Sequence, residues 1–284
     1  MSQLIQLKQR IKAVTTIKKI TSAMRLISRA LHVRLDKQKK YLFKYHTTVS
    51  DYLTELNKLN ANWHPSFLPS IKNTQNQTLI IIIGSQKGLC GNFNGPLLYW
   101  IDEHLPLLTS PETTIIALGK KINDHLKKQS APLVTSLKEL KSSQVEAYTE
   151  DLLKLIFPVH TQYNTISMVY LHSKTFFNRS LKKIDLIPFA TSKTPSNAHS
   201  FDQDEQEQNP QEILDSLGQH YIRSCVRIAL FESLHAEQSA RFISMDNATR
   251  NANSFLSTMK SHYNKIRQAK ITKELAELAD MFDA

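Results

Sequence analysis

The two ends of the chain constrain the fold most. Residues 2–59 contain neither glycine nor proline, and residues 211–284 contain a single glycine, Gly218. Along both segments apolar side chains return at alternating steps of three and four. The first stripe runs Leu4, Leu7, Ile11, Val14, Ile17, Thr21, Met24, Ile27, Leu31, Leu35, Gln38, Leu42, Tyr45, Val49, Tyr52, Leu56, Leu59. The last runs Ile213, Leu217, Tyr221, Ser224, Ile228, Phe231, His235, Gln238, Phe242, Met245, Thr249, Ala252, Phe255, Met259, Tyr263, Ile266. A period near 3.5 sustained over many turns makes a seam that only another helix covers. The expectation is an antiparallel pair of terminal helices, roughly 85 and 105 Å long at a rise of about 1.5 Å per residue, forming a rod.

Between them lies a different kind of sequence. A polar stretch at 57–77, with Pro65 and Pro69, reads as the exit from the first helix. Residues 79–83 (LIIII), 113–118 (TTIIAL) and 165–171 (TISMVYL) are short β-branched runs suited to strands buried on both faces, and 184–189 reads as a fourth, cut short at Pro188. Helical spacing occupies 95–108, 120–129 and 143–157, with Ser142 or Ser143 as cap. Strands alternating with helices predict a parallel-sheet, Rossmann-like α/β domain. The fold class is thus α/β plus coiled coil: an N-terminal coiled-coil helix at 1–60, an inserted α/β domain at 75–192, a linker at 193–210 and a C-terminal coiled-coil helix at 211–284. The linker is polar, acidic near its end and poor in apolar residues.

Composition narrows the classes. No run of about 18 apolar residues is present to span a membrane. Lys8, Arg10 and Lys12 interrupt what would be the apolar core of a signal peptide, and the stripe starting at Leu4 leaves no room for a transit peptide. A soluble or peripheral protein is expected. Cys90 and Cys225 lack CxxC spacing and read as buried thiols, and the eleven histidines form no metal motif. Of the formal charge of +11, residues 1–60 hold +10, with thirteen Lys or Arg against Asp36, Asp51 and Glu55. That face is either solvated or turned to nucleic acid or an acidic protein surface.

Chemistry is hard to find. The loop Gly84-Ser-Gln-Lys-Gly-Leu-Cys-Gly-Asn-Phe-Asn-Gly95 follows a strand and precedes a helix, yet it matches neither GxxxxGK[ST] nor GxGxxG. The second strand ends in Leu118-Gly119, without an acid to hold a ribose. A structural turn at Gly88, Leu89, Cys90 and Gly91, needing positive φ or close packing, is the better reading. No Ser/His/Asp or Cys/His set can be assembled, and no catalytic residue, cofactor or metal is expected. The last helix instead carries an amide-rich run, Asp246, Asn247, Thr249, Asn251, Asn253, Asn264, Arg267, Gln268 and Thr272, that helix propensity does not explain. Two readings stand: an exposed face, or hydrogen bonding to surrounding chains and polar layers inside the seam.

Ala240-Arg-Phe-Ile-Ser-Met-Asp-Asn-Ala-Thr-Arg-Asn-Ala252, followed by Tyr263-Asn-Lys-Ile-Arg-Gln-Ala-Lys-Ile-Thr272, closely resembles the C-terminal helix of the F-type ATP synthase gamma-subunit family. Arg10-Ile-Lys-Ala-Val14 with Lys19-Ile-Thr-Ser-Ala-Met24 resembles that family's opening helix, and Gly88-Leu-Cys-Gly91 its turn after the first strand. The resemblance implies a non-catalytic rotor shaft of the F1 sector. It would couple ion flow through a membrane c ring to ATP synthesis or hydrolysis on beta subunits. The partners implied are a ring of alpha and beta subunits, the epsilon subunit and the c ring. The place implied is the cytoplasmic side of a bacterial inner membrane, with no direct insertion. By motif match, Arg267, Gln268 and Thr272 would meet the beta ring near the top of the shaft, and Lys19, Thr21 and Met24 would lie near acidic beta loops. The chain departs from the pattern at Gln86-Lys87, Asn92, Thr16-Ile17-Lys18, Ser28-Arg29 and Arg250, which marks a divergent or second-copy member. The competing reading is a coiled-coil nucleic-acid-binding protein using the basic first helix, which would show salt-sensitive affinity.

Overall fold

The computed structural model describes residues 2–59, 77–129, 131, 133–137, 145–156, 163–187 and 210–282. The expected linker at 193–210 lies outside these residues except for its last position. The elements run α1 Ser2–Leu59, β1 Thr78–Ile83, α2 Gly95–Glu103, α3 Leu105–Leu108, β2 Thr113–Leu118, α4 Lys120–Lys128, β3 Leu133–Leu137, α5 Val145–Ile156, β4 Thr165–Ser173, β5 Arg179–Ile187 and α6 Pro210–Phe282. No helix among them is long and apolar enough to cross a membrane. The chain divides into two units, residues 1–30 with 241–284, and residues 31–240.

In the first unit α1 and α6 pair antiparallel. Arg25 Nη1 meets Asp246 Oδ1 at 2.7 Å, and one turn earlier on α1 the Thr249 hydroxyl donates to Thr21 Oγ1 at 2.9 Å. On α6 the buried side chains are Arg241, Met245, Thr249, Ala252, Leu256 and Met259, stepping by four and three as a coiled-coil seam requires. Two expectations shift here: Arg241 is buried in place of Phe242, and Phe255 is 57% exposed while Leu256 takes its place inside.

The second unit pairs α1 and α6 in the same sense. The contacts are Lys39 to Glu232, His46 to Ser224 and Tyr45 to His220. On α1 the buried positions Thr21, Ser28, Leu35, Leu42, Val49 and Leu56 lie seven residues apart, with Leu53 and Thr54 buried beside them near its end. The flank completing the seam differs from the apolar expectation. Ile17 and Ile27 are more than half exposed, and Gln38 and Tyr45 also lie on the exposed side of the helix. The partly buried positions are instead Arg25, His32, Lys39 and His46, with Leu53 fully inside. A hydrophobic count cannot see a seam whose second row is filled by polar and basic side chains.

The α/β sheet has the order β3-β2-β1-β4-β5. β1 runs parallel to β2 and β4, with Ile81 between Ile116 and Met168, and β2 runs parallel to β3. β5 is antiparallel to β4, so the sheet is mixed and not wholly parallel as expected. β5 also starts at Arg179 instead of 184. Its polar opening, Arg-Ser-Leu-Lys-Lys, suits an edge strand with one wet face and hides it from an apolar search. β3 escapes such a search for a similar reason: it pairs only with β2, and LVTSL lacks a continuous apolar run. The expected helix over 95–108 is two helices, broken at His104 because Pro106 has no N–H to continue the ladder.

Alternation along β1 creates two cores. Leu79, Ile81 and Ile83 face α1, α5 and α6, packing with Leu35, Leu42, Leu152 and Val226. Ile80 and Ile82 face α2, α3 and α4, packing with Leu97, Ile101, Leu108 and Ile122. Truncating Leu42, which is 7% exposed, to Ala should lower the unfolding free energy of the chain by about 2–5 kcal/mol. Ile27→Ser should stay within about 0.5 kcal/mol. Urea denaturation of both variants tests the register, and equal losses would contradict it.

Candidate functional site

The strand order reverses at β1, with β2 on one side and β4 on the other. In open α/β sheets the crevice beyond the carboxyl ends of the strands at such a reversal is where ligands bind. The loop after β1, residues 84–94, occupies that position.

The loop is built by close backbone approach. A Cβ on Gly84 would collide with the Ile122 side chain, and one on Gly119, which has φ of 99°, would lie 2.6 Å from the Ser85 carbonyl oxygen. Asn94 Oδ1 accepts the Ser85 N–H at 2.9 Å, and its Nδ2 donates to Ser85 Oγ at 2.8 Å. Within the expected turn, positive φ falls on Leu89 (62°) and Gly91 (58°). Gly88 has open space where a Cβ would stand and no positive φ, so neither steric reason expected for it applies. Leu89 holds the left-handed conformation without glycine's freedom and is 57% exposed, while Cys90 is buried.

The crevice is filled by the chain's own last helix. Glu237 of α6 places both carboxylate oxygens on the loop, accepting the Gln86 N–H at 2.9 Å and the Lys87 N–H at 3.2 Å. Successive backbone N–H groups after a strand are a ready anion site. Here a fixed carboxylate takes the place an anionic ligand would occupy. Two residues on, Ser239 Oγ lies 3.3 Å from Ser173 Oγ at the end of β4. Ala236 and Ala240 join the core formed with Phe93 and Leu97.

A second anchor sits one turn back. Glu232, 3% exposed, accepts from the Tyr170 hydroxyl at 2.8 Å and pairs with Lys39 at 3.2 Å and Lys182 at 3.3 Å. One carboxylate therefore ties together α1, α6, β4 and β5. Burial works to raise its carboxyl, but the Tyr170 hydrogen bond and the two ammonium groups outweigh it and hold the group below the usual carboxylate range. Tyr170 is pushed far up, first by burial and then by the neighbouring carboxylate. Towards α5, Arg223 pairs with Glu150 at 2.7 Å and Arg227 with Glu146 at 2.9 Å. Every residue from 228 to 240 is buried, so α6 is enclosed on all faces over this span.

The family model described as ATP synthase matches residues 3–284. The ATP synthase gamma chain of Verminephrobacter eiseniae is 32% identical over 96% of this chain and 95% of its own length. That of Campylobacter concisus is 30% identical over 98% and 97%. The chain belongs to the ATP synthase gamma-chain family. Its fold also matches the rotor of the Euglena gracilis mitochondrial ATP synthase, with a TM-score of 0.61 at 15% identity, covering 95% of this chain and 99% of that one.

The residues carried over from the family motifs are dispersed. Arg267, Gln268 and Thr272 lie on the exposed last part of α6, where the Thr272 hydroxyl bonds back to the Gln268 carbonyl at 3.0 Å. Lys19 is exposed and Met24 half-buried, whereas Thr21 is turned into the helix pair against Thr249 and presents no surface to a partner. Of the amide-rich run, Asn247, Asn251, Asn253 and Asn264 are exposed, while Thr249 and Asp246 form a polar layer in the seam. Asp246 is held below the usual carboxylate range by the Arg25 hydrogen bond, despite an opposing desolvation effect, with Arg250 helping. Glu232 and Glu237 belong to no motif and are not found by sequence reasoning. Their signal is two acids, five residues apart, on a stretch with a nearly continuous apolar and small-residue surround.

Glu237→Ala removes the acceptor of the buried Gln86 N–H and of the part-buried Lys87 N–H and should cost about 1–3 kcal/mol. Glu237→Gln, which keeps one acceptor oxygen, should cost less. Urea denaturation followed by far-UV circular dichroism ranks the two; equal loss in both would mean the N–H contacts are not what matters.

Proposed function

We propose that the chain is the central rotor of an F1 sector, a non-catalytic shaft that carries rotation between a membrane c ring and a ring of alpha and beta subunits. The observation that carries this reading is the joint at residues 228–240 of α6. A helix enclosed on all faces and bonded through Glu232 and Glu237 to α1, β4, β5 and the loop after β1 cannot turn without turning the α/β domain. A force applied to the domain is then delivered to the helix. The occupied crevice fits a chain whose partners, the beta subunits, perform the catalysis.

In this reading the α/β domain takes up contact with the epsilon subunit and c ring on the cytoplasmic side of a bacterial inner membrane, held there by partners without inserting itself. The exposed Arg267 and Gln268, with Thr272 beside them, meet the beta ring, and Lys19 and Met24 face acidic beta loops. The nucleic-acid alternative loses ground because Arg25 and Lys39, two of the basic side chains that suggested it, are engaged with Asp246 and Glu232.

Co-expression with alpha and beta chains tests the reading directly. The three proteins should purify as one ATP-hydrolysing complex, and isolation of the chain alone with bound nucleic acid would sink it. In membranes carrying the whole complex, Arg267→Ala with Gln268→Ala should lower ATP-driven ion pumping on the order of tenfold, equivalent to about 1.4 kcal/mol of lost contact. Unchanged pumping and complex yield would remove these residues from the interface.

A further inference from the structure

Next to the Glu232 anchor lies a polar pair that the joint does not use. His32 of α1 and His235 of α6 stack with ring centroids 3.9 Å apart and planes 32° from parallel. Phe176, from the connection between β4 and β5, packs edge-on against His32 at 4.8 Å. His235 is 7% exposed. His32 Nε2 and both ring nitrogens of His235 are buried with no hydrogen-bond partner among the described residues. Two imidazoles in van der Waals contact are tolerable when neutral. With a proton on each, like charges would face one another at stacking distance in a dry layer.

The surrounding charges do not relieve this. From α1, Lys39 adds a further positive charge, and the Asp36 carboxylate stays 3.9 Å from His235 Nε2, half exposed. From α6, Glu232 is already committed to Tyr170 of β4, to Lys39 and to Lys182 of β5. Burial first, then His32 and Lys39, push His235 down to about 4 against the opposing pull of Asp36 and Glu232. His32 is lowered mainly by burial, with Asp36 opposing and Lys39 assisting.

We infer that the His32–His235 stack is an acid-labile clasp between α1 and α6: neutral rings hold the two helices together at this layer, and protonation drives the rings apart and loosens the pairing. The sign follows from proton binding. The opened chain takes up protons near the ordinary histidine value of about 6.5, the closed one only at lower pH. The clasp is therefore intact above about pH 6.5 and weakens progressively as the pH falls towards about 4.

The test uses the full chain and is independent of the rotor reading. Imidazole resonances, assigned with His32→Gln and His235→Gln, should show both histidines titrating below the ordinary histidine value of about 6.5. Amide exchange in the α1 turn around His32 should quicken over the same pH range. In denaturant titrations, the folded-to-unfolded ratio of the wild-type chain should fall on the order of tenfold more between about pH 7.5 and about pH 5 than that of the double variant. Titration of both rings at the ordinary histidine value of about 6.5, or equal pH slopes in the two chains, would overturn the clasp. If the double variant does not fold, the imidazole titration of the wild-type chain decides alone.

Discussion

The structure depends on a short length of helix surrounded on every side. Residues 228–240 of α6 are buried throughout, and six of them, Glu232, Ser233, His235, Glu237, Gln238 and Ser239, are polar or titratable. An enclosed helix is ordinarily apolar all round, because a polar group taken from water without a partner costs several kcal/mol. Glu232 and Glu237 offset that cost only with α6 at one depth and one rotation. A shift by a single residue turns the side chain by about 100° and separates both carboxylates from their donors. Apolar packing alone would allow neighbouring registers at a modest loss; two anchored carboxylates do not.

The small residues of the same span complete the arrangement. Ala229 lies in the core shared with α1 and α5, while Ala236 and Ala240 lie in the core shared with α2 and α4. One helix thus contributes to the cores on both faces of the sheet at its carboxyl edge. Short side chains at Ala236, Ser239 and Ala240 allow the helix backbone to come close to the loop after β1, which brings Glu237 within hydrogen-bonding distance of Gln86 and Lys87. Larger side chains there would hold the carboxylate out of reach even with the charges unchanged.

Much of this is readable from the chain alone where its period is apolar. The inner strands declare themselves through Ile-rich runs, and the α6 seam through its alternating steps, with Leu214, Arg241 and Leu256 buried in place of Ile213, Phe242 and Phe255. The α1 seam reads one position off on its second flank, because Arg25, His32, Lys39 and His46 fill it and their partners stand some two hundred residues away. Edge strands β3 and β5 are missed or shortened since strands paired on one side need no continuous apolar run. The loop after β1 is recognisable as structural from the failure of its glycine spacing. Its occupant is not, because nothing local to residues 84–94 specifies that the acceptor comes from Glu237.

That division between legible and hidden features bears on function. Apolar periodicity specifies that α1 and α6 pair, yet it leaves their rotation about one another loosely determined. The long-range polar contacts remove that freedom, through Glu232 and Glu237 where α6 meets the sheet and through Arg25–Asp246 and Thr21–Thr249 in the first unit. A helix meant only to stabilise a domain gains little from buried carboxylates, since apolar side chains of similar volume would serve as well or better. A helix meant to carry a twisting load gains a great deal. Torque about the helix axis acts tangentially, where apolar surfaces resist least and directional bonds resist most. The placement of Glu232 and Glu237 at the level of the sheet is what such a load requires.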